Sequence, residues 1–365
     1  MCQSTVACTT NAEVVVYTAA AWNPLADAFA ADASPCANYY FSIPAAGTPK
    51  TNPRLGETDR MHARGSHFHA MAEFHWTSWN MVTGMTWYQK GVEFRRRMAA
   101  AGYDVSAGDT WAINELPSGV RSDATARQSA RDAMRGLFDG PSGSPTARGA
   151  VFVIGMGQNT MGFSVYKPAL ESWLTDAAFW VDASNYARWW GQEVYTDPQW
   201  TCVPGTSTGL RAQHINAFVE HVARLASVGP AGANTAQSYL SRAYTPLLNA
   251  VWNSAAGHGY GDTTIPLDQM EHHVSGQVYA VRAWATSHTY PDGRIGFAWD
   301  RNTGVTDSDL ATLAARLASA VHYAYDAGGG TAAGACSPSG AFTWCQCSVT
   351  GATFNPAWDT TFATW

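Results

Sequence analysis

The chain has 365 residues, of which 46% are hydrophobic and only 14% are charged, so it can bury a large core and leaves much of its surface neutral. A formal net charge of −6 without a basic run argues against nucleic acid as a partner. The sequence contains no apolar stretch long enough to cross a bilayer, so we expect no membrane partner.

Short runs of β-branched and aromatic residues alternate with helical patterns along the chain. The predicted strands are Glu13–Ala19, Asn38–Pro44, Phe68–Trp76, Thr110–Ile113, Ala150–Met156, Trp189–Tyr195, Pro246–Trp252 and Arg294–Trp299. The predicted helices are Asn23–Ala31, Trp87–Ala101, Ser122–Phe138, Lys167–Tyr186, Leu210–Val228, Thr235–Leu248, Leu267–Ser287 and Asp307–Tyr325. The seventh strand segment suits a helix equally well.

This alternation predicts an α/β fold, a closed (β/α)8 TIM-type barrel over residues 13–325. Residues 1–12 form an N-terminal tail, and residues 326–365 a short, Cys-containing, β-rich C-terminal extension behind a Gly/Ala-rich hinge. An open doubly wound sheet is the alternative. No glycine-rich nucleotide-binding loop follows any strand, however.

The most informative stretch is Asp109–Asp123, DTWAINELPSGVRSD. A buried strand ends there at Asn114 and Glu115, and Pro and Gly then break it before the next helix. Carboxylates at the carboxyl ends of parallel barrel strands are placed for acid–base chemistry. The structural alternative is that Glu115 caps a helix or pairs with Arg121.

Glu193, near the end of the sixth predicted strand, is the second candidate carboxylate. A pair of carboxylates across a barrel mouth is what glycoside hydrolysis requires. The structural alternative for Glu193 is an ion pair with Arg188. Asp300, at the end of the last strand, is held in reserve as an orienting group or a ligand for a sugar hydroxyl.

Asn114-Glu115 resembles the Asn-Glu pair of the large retaining clan of glycoside hydrolases with (β/α)8 barrels. That resemblance implies that Glu115 is the acid/base and that Asn114 contacts a sugar 2-hydroxyl. The sequence departs from the clan at the nucleophile, which the clan keeps at the end of the seventh strand. No glutamate lies between Glu220 and Glu271, so Glu193 is one strand early.

A histidine cluster supports a competing interpretation. His62, His67, His69 and His75 lie within fourteen residues, and His67, His69, Glu73 and His75 share one face of a strand. A metal-dependent barrel hydrolase using His67 and His69 is therefore an alternative function. The spacing completes no ligand set, so we predict no metal and no cofactor.

The 16 tryptophans favour a sugar-binding cleft, since flat rings stack on sugar rings. Predicted substrate contacts besides Asn114 and Asp300 are Trp76, Trp299, Tyr195, His69, Gln158 and Asn159. The last two follow the fifth strand, where their amides suit hydroxyl groups. A Trp-rich core and a non-catalytic carbohydrate-binding barrel are the corresponding alternatives.

Seven cysteines fall mainly at the two chain ends, and none forms a CxxC pair. Such a distribution predicts disulfides that fix the tails in an oxidising compartment, within or onto the tail that runs from Cys336 to Cys347. The sequence thus predicts a secreted glycoside hydrolase acting on a polysaccharide or oligosaccharide.

Overall fold

The computed structural model describes residues 12–18, 21–31, 37–153, 172–194, 231–252, 274, 278, 293–301 and 305–326. All seven cysteines lie outside these ranges, as do the predicted helix 210–228 and, apart from Asp326, the predicted C-terminal extension. The disulfide and extension predictions therefore stay predictions. Among the described residues, no helix is long and apolar enough to cross a membrane.

Eight parallel strands close into a barrel in chain order, each pairing with the next and the last with the first. They are β1 (Ala12–Thr18), β2 (Ala37–Ile43), β3 (Phe68–His75), β4 (Thr110–Leu116), β5 (Gly149–Val153), β6 (Ala187–Val194), β7 (Tyr244–Trp252) and β8 (Arg294–Arg301). The predicted parallel barrel is confirmed, and the open sheet is excluded.

Helices follow the strands and cover the outside of the barrel. The described ones are α1 (Asn23–Ala31), α2 (Glu57–His62), α3 (Trp76–Asn80), α4 (Trp87–Ala100), α5 (Ala124–Asp139), α6 (Ala177–Tyr186), α7 (Ala231–Ala243) and α8 (Asp307–Asp326). Capping residues in the local sequence determine where several of these helices begin. Asp123 accepts a hydrogen bond from the Thr125 N–H, and Thr86 and Gln89 form a capping box.

Alternation along each strand separates two cores. Inward-facing residues such as Val15, Met71, Ala112 and Trp189 fill the barrel, while a larger cluster packs between strands and helices. The large cluster contains most of the fully buried rings. These include Trp111, Trp190 and Trp299.

Two predicted boundaries are wrong. The helix predicted to run to Leu248 ends at Ala243, and β7 begins at Tyr244. Pro246 explains the difference, because it has no N–H to donate and disfavours a helical conformation at Thr245. Within the range predicted as one helix from Lys167, the described part is a 3-10 turn at Ser172–Thr175 followed by α6.

The amino-terminal end of the barrel is closed by a charged cluster. Glu13 of β1 receives hydrogen bonds from Arg188 and from the Trp189 indole, both in β6, at 2.7 Å for the indole. Arg294 of β8 approaches the same carboxylate at 3.2 Å. One carboxylate thereby links three strands across the barrel. Arg188, the partner named in the structural alternative for Glu193, pairs with Glu13.

Candidate active site at the carboxyl end of the barrel

A β-bulge places two consecutive polar residues at the mouth of the barrel. In the pairing of β4 with β5, Ile113 faces Val151 and Leu116 faces Val153, so β4 carries one extra residue. Ile113 and Leu116 are both buried in the helix-facing core. Asn114 and Glu115 lie between them, and such bulges re-aim side chains next to active sites.

Glu115 is held in the left-handed region at φ 60°, and no other non-glycine residue in the described ranges has a positive φ. This conformation costs a residue with a Cβ roughly 1–2 kcal/mol. The surrounding barrel therefore stabilises a strained backbone at the residue that the sequence singled out. Strain of this kind concentrates at functional sites.

His75, at the end of β3, contacts Glu115 directly. Its Nε2 lies 3.2 Å from Glu115 Oε2, and its Nδ1 accepts the Ser78 N–H at 3.3 Å as the N-cap of α3. Because a backbone N–H can only donate, the neutral form of His75 carries its proton on Nε2. The cap of α3 thus favours the tautomer whose Nε2–H lies next to Glu115.

Glu73 lies deeper in β3 and is bound by two donors. Asn114 Nδ2 donates to Oε1 at 2.7 Å, and the Ala45 N–H donates to Oε2 at 2.5 Å. Glu73 and Asn114 are 3% and 1% exposed. Ala45 follows the end of β2, so this contact network joins β2, β3 and β4.

Burial raises the pKa of the Glu73 carboxyl. The hydrogen bonds from Ala45 and Asn114 and the charges of His75 and Lys50 act in the opposite direction and only partly offset it. Glu115 differs in setting, since its side chain is 35% exposed at the mouth. The site therefore combines one sequestered carboxyl and one that a ligand can reach.

Two predicted aromatic contacts are not at the mouth. Trp76 is buried in the helix layer, stacked on Trp87 at 3.9 Å. Trp299 faces the helices as well, and its indole N–H donates to the Ala21 carbonyl at 3.1 Å. Both residues belong to the core between strands and helices, which agrees with the alternative of a Trp-rich core.

The histidines of the competing hypothesis do not converge. His69 stacks on Tyr40, and its Nδ1 donates to the Ala107 carbonyl at 3.1 Å. Six residues of strand separate His69 from His75, which corresponds to about 20 Å. His62 pairs with Asp109 at 2.9 Å, outside the barrel. In the part of the chain that the structure describes, no three His, Cys, Asp or Glu residues form a group able to hold a metal.

The remaining predicted site residues are placed only in part. Asp300 is half-buried near the end of β8. The backbone of Glu193 belongs to β6 and pairs with Leu247 of β7, but its side chain is not among those described. Tyr195, Gln158 and Asn159 lie outside the described residues.

The structure adds Glu73 and His75 to the candidate site. Sequence reasoning placed both on one strand face but assigned them only to the histidine cluster. The sequence did contain a signal for this placement, because Met71, Glu73 and His75 occupy alternate positions of one strand and therefore share its inward face. Glu73 is hydrogen-bonded to Asn114, which is 41 residues away in sequence. No local sequence pattern predicts a contact over that separation.

A scan against models of known protein families finds no match to this chain, and a search of curated proteins finds none either. The fold and the geometry of the site are therefore the basis for assigning a function.

Proposed function

We propose that the protein is a glycoside hydrolase that cleaves a polysaccharide or oligosaccharide at the carboxyl end of its barrel. One observation carries the proposal. Glu115 is kept in a strained conformation that turns its carboxyl group to the mouth, beside His75. A glutamate needed only for packing or capping gains nothing from that strain.

Glu115 is proposed as the general acid/base. One of its oxygens, Oε2, contacts His75, which leaves Oε1 for the substrate. As an acid it gives its proton to the departing glycosidic oxygen, and as a base it takes a proton from the incoming water. His75 positions the carboxyl group. Asn114 is 1% exposed and bound to Glu73, so we propose that it supports the strand end behind Glu115 and does not contact sugar directly.

Glu193 is proposed as the second carboxylate, with Asp300 as the alternative. Glu73 is too enclosed for direct attack on a sugar, since only 3% of it is exposed. The proposal requires no cofactor and places the enzyme outside the cell, where the predicted disulfides form. Metal-dependent hydrolysis at His67 and His69 is disfavoured, because both residues lie at the amino-terminal end of β3, away from the mouth of the barrel.

The proposal is tested with a panel of neutral polysaccharides, measuring release of reducing ends by the wild-type protein. Because acid–base assistance contributes on the order of 10²–10⁴-fold, Glu115→Gln should lose at least about a hundredfold in kcat while staying folded and binding the glycan. Asn114→Ala should lose less.

The matched control is Glu93→Gln on α4, whose carboxylate pairs with Arg96 and Arg97 on the outer surface. It should keep wild-type turnover. Near-normal turnover by Glu115→Gln contradicts the assignment and makes Glu193 and Asp300 the residues to test. Glycan binding by the wild type without any turnover identifies a non-catalytic carbohydrate-binding barrel.

A further inference from the structure

The hydrogen bonds of Glu73 leave one atom of the network unused. Both carboxyl oxygens of Glu73 face donors, Oε1 the Asn114 Nδ2 and Oε2 the Ala45 N–H. Within the described residues, the Asn114 Oδ1 is buried and has no hydrogen-bond partner. A buried acceptor without a donor is energetically unfavourable. The arrangement is therefore complete for Glu73 and incomplete for Asn114.

Protonation of Glu73 changes which arrangement is favourable. The new hydrogen must sit on one of two oxygens that already receive hydrogens. The Ala45 N–H is part of the backbone and cannot turn away, so the proton goes to Oε1. There it meets the Asn114 amide, which can exchange Nδ2 for Oδ1 by a half-turn of its side-chain amide. The half-turn supplies the acceptor that the protonated carboxyl needs.

We propose that Glu73 is a positioning residue whose protonation state sets the orientation of the Asn114 carboxamide. With Glu73 ionised, Nδ2 faces Glu73. With Glu73 protonated, Oδ1 faces it and Nδ2 takes the place that Oδ1 held. The residue next to Glu115 thus exchanges an acceptor for a donor as the pH falls.

The charges around Glu73 set the pH at which this exchange occurs. The charges of His75, on the same strand, and of Lys50, in the loop after β2, both act on Glu73. The buried Tyr103 hydroxyl, in the segment after α4, also interacts electrostatically with Glu73. The Nε2 of His75 lies 3.2 Å from Glu115 Oε2, and the charge of His75 also acts on Glu73, so His75 connects the two carboxyl groups of the site. Burial outweighs the cations and raises the pKa of Glu73, moving the exchange toward neutral pH.

The consequence for catalysis rests on the proposed function, in which Glu115, the residue after Asn114, is the acid/base. The buried amide behind Glu115 directs Oδ1 away from Glu73 at high pH and Nδ2 away from it at low pH. The exchange itself requires no substrate, so it is testable whether or not the protein is a glycoside hydrolase.

Glu73→Gln provides the critical variant, because it locks one state. The Ala45 N–H requires an acceptor, so the glutamine oxygen faces Ala45 and the glutamine NH2 faces Asn114. Asn114 must then present Oδ1. The variant reproduces the protonated arrangement at every pH, with the same shape as glutamate and one titrating group fewer.

Neutron diffraction from deuterated crystals of the full chain, at one pH above and one below the Glu73 titration, locates the deuterons directly. We expect the Asn114 ND2 group against Glu73 at high pH, turned away at low pH, and turned away at both in Glu73→Gln. The same orientation in the wild type at both pH values, or ND2 against residue 73 in Glu73→Gln, overturns the proposal.

Should a glycan substrate be found, the pH profile gives a second readout. The profile of kcat/KM in Glu73→Gln should lose one ionisation that wild type and Glu93→Gln retain. A profile unchanged in Glu73→Gln contradicts the coupling to catalysis but not the proposed function, which depends on Glu115.

Discussion

At the scale of the residue, Glu115 shows how backbone strain and side-chain placement are linked. An extra residue in β4 allows Asn114 and Glu115 to lie between two core residues, and the left-handed backbone at Glu115 is the consequence. Glycine adopts that backbone without a steric penalty. Position 115 should therefore reverse the usual order of alanine and glycine.

We expect Glu115→Gly to have a larger free energy of unfolding than Glu115→Ala, by about 1 kcal/mol. Both variants lose the contact with His75, so their difference isolates the backbone. Urea denaturation followed by circular dichroism measures it. At Gln128, on the exposed surface of α5, the same pair should show the opposite order, with alanine more stable by about 1 kcal/mol. If alanine is also the more stable residue at 115, the strain is absent.

Glu73 predicts a pH dependence of stability with a defined sign. Its pKa in the folded protein is raised above the ordinary value of 4.5, so the folded chain binds more protons than the unfolded chain between these two pKa values. The free energy of unfolding then falls as the pH rises through that window. Glu73→Gln should remove this fall, as measured by denaturation at a series of pH values.

Glu93 provides the control, because its contribution to stability changes with pH in the opposite direction. Hydrogen bonding by Arg96 lowers the pKa of Glu93 to about 2, so its contribution to stability is present above 4.5 and is lost as the pH falls toward 2. Glu93→Gln should therefore change the slope of stability against pH only in that acidic window. Above the window it should lower the free energy of unfolding by less than about 1 kcal/mol, because the pair lies at the surface. An identical pH dependence in Glu73→Gln and wild type contradicts the raised pKa.

The sequence identified Asn114 and Glu115 because their signal is local, a strand interrupted by polar residues and then by Pro and Gly. It did not identify Glu73 as a partner of Asn114, since that contact depends on the alignment of two strands. Trp299 was misplaced for a related reason. Its strand was predicted correctly, but the face of the strand that the ring occupies is decided by closure of the barrel.

At the scale of the element, helix ends and strand patterns were largely predictable. Asp123 and Thr306 cap α5 and α8 as their positions indicate, because a cap depends only on neighbouring residues. The boundary between α7 and β7 was not predictable from apolar periodicity. A short apolar segment suits both structures until the sheet supplies its neighbours, Glu193 and Gly296 among them.

The contact of α4 with α5 depends on two glycines. A Cβ added at Gly91 would lie 2.6 Å from the Leu137 nitrogen and 2.7 Å from the Ala133 carbonyl oxygen, and one added at Gly136 would overlap the Tyr88 carbonyl. These are backbone atoms, which cannot move aside as a flexible side chain does. The two helices therefore approach as closely as their backbones allow.

Gly91→Ala should lower the free energy of unfolding by about 1–3 kcal/mol despite the higher helix propensity of alanine. Gly119→Ala is the matched control, because a Cβ there meets nothing within 4 Å. It should change stability by less than about 0.5 kcal/mol. Thermal unfolding of the three proteins measures both effects. Equal stability of Gly91→Ala and wild type contradicts the close packing.

At the scale of the whole molecule, the proposed function predicts different roles for the two ends of the barrel. Barrel enzymes carry their chemistry at the carboxyl ends of the strands and their stability determinants at the opposite end. Glu115, His75 and Asn114 lie at the former. Glu13, held by β6 and β8, lies at the latter. Substitutions at the two ends should therefore affect different measurements.

Glu13→Gln is the substitution that tests this separation. The Glu13 carboxylate accepts hydrogen bonds from Arg188 and from the Trp189 indole and lies 3.2 Å from an Arg294 nitrogen, so a carboxamide turns an NH2 group toward at least one of these cations or donors. Arg188 is 41% exposed and Glu13 only 11%, which places the cluster between surface and buried ion pairs. We expect a loss of about 1–3 kcal/mol in the free energy of unfolding, between the values for those two classes.

The same variant should retain wild-type kcat and KM at a temperature where it is fully folded, because the cluster contacts none of the candidate-site side chains that the structure describes. Glu115→Gln should show the converse, with turnover lost and the unfolding midpoint nearly unchanged. Urea denaturation and glycan turnover measured on both variants give the comparison. A Glu13→Gln protein that is folded yet inactive contradicts the separation and indicates that closure of the amino-terminal end sets the geometry of the mouth.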